Sequence, residues 1–305
     1  MSSVLISLCP IFLLIILGYF IRQKALLAEN FWLPAEKINY FLFFPALMVM
    51  QVAKADLTKF AVGPIAVSLL GAVAITVLIL LGMRLLTKQS GPVFSSVLQG
   101  SLRPNTYVGV AAASALYGNL GITITSISIA VTIPLLNVFS ILILLRYGDG
   151  NRTSPLAILK TLIKNPVISA VIAGLLINIS GLALPAVFGS FLAILGSASL
   201  PLGLLVVGAG LDIRAAKAAH GPVLQSSIAK LVIVPALTMY IGTMLGITGP
   251  TLVVIILFNS LPCTPSAYIM ARLMGGDHRL AAGIITIQTA LAAITIPLIL
   301  IFSNH

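Results

Sequence analysis

The sequence predicts an all-α polytopic membrane protein, with ten transmembrane helices forming a 5+5 inverted repeat in which helices 4 and 9 are broken. Three observations predict it. Hydrophobic residues make up 59% of the 305-residue chain and charged residues 8%, with a mean hydropathy of +1.16. That leaves too little polar surface to cover a water-soluble globule of this size. The apolar residues fall into ten runs, most close to the roughly 20 residues that a helix needs to cross a bilayer. Finally, three of the first five runs carry proline motifs that return, in order, in the second five.

The runs lie near 4–21, 37–53, 61–86, 93–117 and 121–145, then near 163–180, 188–210, 221–246, 251–274 and 280–302. They are continuously apolar rather than alternating with period two, which excludes a transmembrane β-barrel. The first is expected to remain a span. No basic segment precedes it, and Gly18-Tyr19-Phe20 is no small-residue cleavage site. The organisation that follows is a first repeat over 1–145, a connecting loop over 146–162 and a second repeat over 163–305.

The 17 Lys+Arg outnumber the 6 Asp+Glu, giving a net charge of +11. These cations are scattered between apolar runs, not gathered into a patch that would grip nucleic acid. Arg22, Lys24, Lys37, Arg84, Lys88, Arg146, Arg152, Lys160, Lys164, Arg214, Lys217, Arg272 and Arg279 all fall on one side if the N-terminus is outside. Only Lys54 and Lys59 fall on the other. The positive-inside rule then puts both termini outside and the 146–162 loop in the cytoplasm of a cell-membrane protein. Arg103 and Lys230 are left over, each within a span.

An odd number of spans per half inverts the second half. Phe44-Pro45-Ala46-Leu47 pairs with Leu200-Pro201-Leu202-Gly203, and Arg103-Pro104-Asn105-Thr106 with Leu261-Pro262-Cys263-Thr264. Thr132-Ile133-Pro134-Leu135 returns unchanged as Thr295-Ile296-Pro297-Leu298. The offsets are 156, 158 and 163 residues, in register and in order.

Proline inside a helix removes a donor and frees the carbonyl four residues back. Pro104 would free Gly100, and Pro262 and Pro265 would free Phe258 and Leu261. Such breaks persist in hydrocarbon only where protein, water or ligand satisfies them. At 1.5 Å per residue, Pro104 lies about 16 Å from Val93 and Pro262 about 17 Å from Thr251. Both are near the middle of a core about 30 Å thick. A new half-helix begins after each break, at Asn105-Thr106 and near Pro265-Ser266, with its free N–H groups and positive dipole end turned back toward the break. Two such ends suit an anion.

The candidate substrate-binding residues are therefore Arg103, Asn105, Thr106, Asn259, Thr264, Ser266, Lys230 and Asn137, around helix breaks at Pro104, Pro262 and Pro265. Arg103 adds a planar donor fork that matches a carboxylate, or it supports the carbonyls freed by the prolines. Lys230, about 13 Å into its span, either serves the site or snorkels to the interface. Asparagines within spans are also common glue between helices. The six acidic residues and three histidines map to loops or span ends. No metal site, paired carboxylates or nucleophile–base set is legible, so a catalytic role and a metal or other cofactor are not expected. Cys9 and Cys263, both in apolar surroundings, indicate no disulfide framework.

Asn39-Tyr40 with Phe44-Pro45-Ala46-Leu47, Arg103-Pro104-Asn105-Thr106-Tyr107, Asn165-Pro166-Val167 and Ser260-Leu261-Pro262-Cys263-Thr264-Pro265-Ser266-Ala267-Tyr268 together resemble the auxin efflux carrier family. Within it, the chain is similar to bacterial members described as malonate or dicarboxylate permeases. The resemblance covers essentially the whole chain. It implies a scaffold of spans 1, 2, 6 and 7, a transport domain of spans 3–5 and 8–10, and crossing of spans 4 and 9 at the substrate. It further implies elevator-like movement and a homodimer formed through the scaffold. The long central hydrophilic loop of plant members is missing. The function expected is a secondary carrier for a small organic anion in the lipid bilayer, with H⁺, Na⁺ or no coupling ion. A passive channel or a membrane sensor is the alternative.

Overall fold

In a computed structural model, residues 2–55, 60–148, 165–181, 184–216 and 220–303 are described. From residue 149 onward the connecting loop lies outside them, as do Asp56, Lys59, Asp149 and Lys217. Among the described residues the chain is all-helical apart from turns, short 3₁₀ and π turns and one isolated bridge. Six helices among the described residues are long and apolar enough to cross a membrane.

The helices are α1 (Ser2–Gln23), α2 (Trp32–Ile38), α3 (Phe44–Ala53), α4 (Val62–Thr87), α5 (Gly91–Leu102), α6 (Thr106–Tyr147) and α7 (Pro166–Ser180). There follow α8 (Ala186–Ala209), α9 (Ile213–Ala216), α10 (His220–Ile228), α11 (Val234–Met244), α12 (Gly249–Asn259), α13 (Ser266–Met274) and α14 (His278–Ser303). The run predicted at 37–53 begins earlier, at Trp32, and passes from α2 to α3 through a π turn at Asn39–Phe43. A second π turn, Ala229–Ile233, joins α10 to α11. Each precedes a proline in the next first turn, Pro45 and Pro235. The proline ring would clash with the carbonyl four residues back, and the extra residue of a π turn relieves that clash.

The 42 residues of α6 contain one non-helical residue, Gly118, at φ 55° and ψ −136°. A side chain at Gly121 would collide with the carbonyl of Ala113. Residues eight apart in a straight helix are about 12 Å apart, so the chain folds back at Gly118 and the predicted turn at 118–121 is present. Only glycine adopts that backbone without strain.

Two sets of helices pack most closely among themselves. In one, α1 lies on α8, and α3 lies on α7 and α8. In the other, α4 packs on α11, α12 on α6 and α11, and α5 against α6, α10 and α14. Glycine makes the α1–α8 crossing possible: a Cβ at Gly18 would strike the Leu205 carbonyl, and one at Gly208 the Ile15 carbonyl. Buried hydroxyls largely return to their own helix. Thr76, Ser101, Ser126, Ser128, Thr132, Ser140 and Thr289 each donate to the carbonyl four residues back, which hides the donor at little cost to the helix. Outward faces are apolar, as at Leu78, Leu85, Leu86, Val187 and Ile194, a surface suited to lipid rather than water.

Cations and polar turns meet at one end. The Arg84 guanidinium lies 4.8 Å from the Phe94 ring centre and 4.0 Å from that of Tyr147. Ser96 donates to the Asp277 carbonyl, and Asp277 N–H to that of Pro92. At the end of α1, Arg22 pairs with the exposed Glu29, holding its carboxyl below the usual range, and donates to the Ala209 carbonyl.

At 12 and 11 residues, α5 and α12 end short of the bilayer width. Beyond them the chain is extended at Arg103 (φ −81°, ψ 112°) and Asn105 (φ −80°, ψ 98°), and Pro104 forms an antiparallel bridge with Cys263. The Asn105 N–H donates to the Pro262 carbonyl at 2.8 Å, and the Thr264 N–H to the Arg103 carbonyl at 3.2 Å. Gln288 of α14 closes the remainder. Its Oε1 accepts from Cys263 N–H at 2.8 Å, and its Nε2 donates to Gly100 O and Ser226 Oγ, both at 3.2 Å. The Gly100 carbonyl is the group that Pro104 was expected to orphan.

Gln288→Leu strands the Cys263 N–H and the Gly100 carbonyl together. At about 1–3 kcal/mol for each buried unpaired group, it should lower the thermal midpoint in detergent well below that of Thr289→Val. Gly208→Val should destabilise by about 1–3 kcal/mol or more through overpacking. Gly82, whose added Cβ meets nothing within 4 Å, should instead gain up to about 1 kcal/mol as Ala. The same melting series checks both.

Candidate functional site

The paired breaks form one wall of a small cavity. Its volume is about 60 Å³, and it is lined by Tyr40, Arg103, Pro104, Thr106, Ile133, Leu136, Asn137, Asn165, Val167, Thr264 and Ser266. A water needs some 10–15 Å³ of such space, so the cavity holds several waters or the carboxylate end of a small anion. Local sequence explains each contribution. Pro104 stops α5 and turns Arg103 and Thr106 to one side. Asn105 caps α6 by accepting from Val108 N–H, and Asn165 caps α7 by accepting from Val167 and Ile168 N–H. The π turn after α2 carries Tyr40.

Arg103 is 8% exposed. Its Nη2 donates to Ser266 Oγ at 2.9 Å and its Nη1 contacts Met270 Sδ at 2.6 Å. Its Nε is buried with no partner. No Asp or Glu is buried among the described residues. The guanidinium therefore rests on a hydroxyl and a thioether, neither of which carries charge. It supports no freed carbonyl; its own backbone carbonyl is the one used in the bridge.

Of the eight residues read from the sequence as substrate-binding, Arg103, Thr106, Thr264, Ser266 and Asn137 line the cavity, with Pro104. Three do not. Asn105 is wholly buried beside it, with its amide nitrogen unpartnered. Asn259 turns away, donating to Thr238 Oγ1 at 2.7 Å and Leu69 O at 3.4 Å, and joins α12 to α4 and α11. Lys230 is 0% exposed, so it does not snorkel. Its Nζ lies 3.4 Å from the carbonyl of Leu102, the last residue of α5. Pro262 and Pro265 shape the second break without lining the cavity.

Tyr40 and Asn165 were not among the candidates, although both stand in the motifs that carried the family resemblance. Only their position across from the breaks reveals them. A larger recess of about 550 Å³ lies at the ends of α1 and α8, lined by Tyr19, Arg22, Gln23, Glu29, Asp212 and Arg214 among others. There Arg22 already has Glu29 and the Ala209 carbonyl. The small cavity is the better candidate, because its cation is buried and lacks a charged partner, whereas Arg214 of the larger recess is exposed.

Comparison with known proteins agrees with this architecture. A family model described as membrane transport protein matches residues 151–300, which include the second break. An uncharacterized transporter of Methanothermobacter thermautotrophicus is 22% identical over 296 residues, covering 96% of each chain. That match runs through both breaks and both sets of helices. These matches support placing the chain with the auxin efflux carrier family of membrane transport proteins.

Proposed function

We propose that the protein is a secondary carrier that moves a small organic anion, a mono- or dicarboxylate, by alternating access around the paired breaks. The observation that carries this reading is Arg103: a buried guanidinium with a free Nε, beside a small cavity, with no buried carboxylate among the described residues to balance it. A carboxylate would supply both the missing acceptor and the missing charge. Thr106, Thr264, Ser266 and Asn137 would complete its hydrogen bonds. The N-termini of α6 and α13 add favourable dipole ends.

In this reading the ten spans form the 5+5 inverted repeat, and the two closely packed helix sets are the scaffold and the transport domain. Tyr40, Asn165 and Val167 belong to the scaffold and the breaks to the transport domain, so the anion is held between them. Sliding of one set past the other, an elevator-like movement, would expose it to each side in turn. The polar end that carries Arg22, Arg84 and Arg146 is taken as cytoplasmic, with the chain in the cell membrane.

Uptake into proteoliposomes of acetate, lactate, malonate and succinate tests the reading. Saturable uptake of at least one is expected; single-channel currents without saturation would point to a passive pore instead. Arg103→Ala removes a charged hydrogen-bonding partner worth about 1.5–3 kcal/mol. The half-saturating concentration should rise by about 10- to 150-fold, while the protein still elutes and melts as a folded species. An unchanged affinity would remove Arg103 from the binding role. Arg103→Lys should recover charge but not the planar fork, and fall between the two.

A further inference from the structure

Lys230 is a buried cation that the binding site does not use. It sits in the π turn between α10 and α11, wholly enclosed, and its Nζ has one contact, 3.4 Å from the Leu102 carbonyl. An ammonium carries three donors. A charge of this kind in an apolar setting, with a single long hydrogen bond and no counterion, is costly, whereas the neutral amine is tolerated there.

The elements packed against this turn are α5, α10, α11 and α14. Their sequences place His220, Tyr240, His278 and Arg279 as the titratable or charged groups. His220 and Tyr240 are each ten residues from Lys230 along the chain, and His278 and Arg279 stand at the start of α14, about ten residues before Gln288. The groups that remain facing Lys230 belong to the breaks. Chief among them is the buried thiol of Cys263, which lies within electrostatic reach of Lys230 and Arg103 alike; Arg103 itself is the residue after Leu102. Among the described residues no Asp or Glu is fully buried; the half-buried Glu36 of α2 lies toward Tyr107 and is not among the groups that act on Lys230.

We propose that Lys230 takes up a proton when an anion enters the cavity at Arg103 and releases it when the anion leaves, so that the carrier moves the two together. This rests on the carboxylate reading above. While the cavity is empty, a charge on Lys230 has beside it only a single carbonyl dipole and the neutral Cys263 thiol. An arriving anion supplies the missing negative charge and favours the ammonium. By linkage, protonation strengthens anion binding by the same factor. The proton added to the amine is the one removed on release, so no other reactant is needed. The net charge carried with a monoanion is then zero.

The experiment compares wild type, Lys230→Met and Cys263→Ser, each purified in detergent. Met matches the apolar stem of lysine, and retained elution and melting behaviour checks its folding. In ligand-free acid–base titration across the neutral range, wild type and Cys263→Ser should exchange one more proton than Lys230→Met; equal counts overturn the proposal. Malonate is then the probe in weakly buffered solution with a pH-sensitive dye. Wild type should take up about one proton per malonate bound, with affinity falling about tenfold per pH unit on the alkaline side. Lys230→Met should bind with a flat pH profile and no proton uptake. The same proton uptake in both proteins overturns the proposal. If malonate and the other three carboxylates fail to bind wild type, the carboxylate reading fails, and the coupling proposal falls with it even where the ligand-free counts differ. Carboxylate binding with no proton uptake sinks the coupling alone.

Discussion

The antiparallel pairing of residues 103–105 with 262–264 is the interaction on which the rest of the structure depends. Hydrocarbon offers no water to an unpaired peptide group, so a helix can stop in mid-membrane only if something else takes its hydrogen bonds. Here each interruption is the other's solvent: the Asn105 N–H meets the Pro262 carbonyl, and the Thr264 N–H meets that of Arg103. Prolines 104 and 262 remove donors at the places where no acceptor would be at hand. What the backbone pair leaves over, Gln288 finishes, because a carboxamide has a donor and an acceptor on one planar group, as a peptide does. Four half-helices thereby become one mechanical unit, and the cavity is the gap left on its outer side.

The two buried basic side chains differ in what surrounds them. Lys230 lies against the last carbonyl of α5, the negative end of that helix dipole, and is partly compensated. Arg103 lies where α6 and α13 begin, near two positive ends, and donates to Ser266 at the first residue of α13. Dipoles that favour an anion disfavour a cation. The structure thus stacks unfavourable positive potential at one point and leaves the Nε of that same residue without an acceptor. A purely structural arginine would be expected at the carbonyl ends instead, where Lys230 is found. This contrast, more than burial alone, favours a negatively charged guest.

How much of this was legible in the sequence depended on how local each cause is. Proline acts within one turn, so Pro104 and Pro262 located the breaks, and Asn105 and Ser266 located the restarts. The gap between the fourth and fifth apolar runs located the reversal, and the structure places it at Gly118. The six long spans followed from apolar runs alone. Side-chain direction is set by neighbours that no local pattern names. Asn259, one turn before Pro262, faces Thr238 and not the cavity. Tyr40 and Asn165 reach the cavity only because α3 and α7 pack together on that side. The π turns could not be read either: Pro45 and Pro235 signal a local adjustment, but not that it would be an extra residue rather than a kink. That adjustment is what turns Lys230 inward and settles against snorkelling.

The boundary between the two closely packed helix sets is of a different character from the breaks. Around the cavity it is made by apolar and aromatic contacts, such as the edge-to-face meeting of Phe44 in α3 with Tyr107 in α6, ring centres 5.0 Å apart. Met48 meets Ser126 through a long sulfur contact of 3.8 Å. Contacts of this kind are non-directional, and one arrangement can be exchanged for another without stranding a polar group. The pairing of the breaks cannot be exchanged so cheaply, since every hydrogen bond in it is directional and far from water. On the carrier reading proposed above, a displacement of the two sets would shear this boundary and leave the breaks, Gln288 and Arg103 intact. In that reading the hydrogen bonds that the breaks offer a guest would be the same before and after the movement. That division of directional from non-directional contacts is what alternating access by rigid-body motion requires.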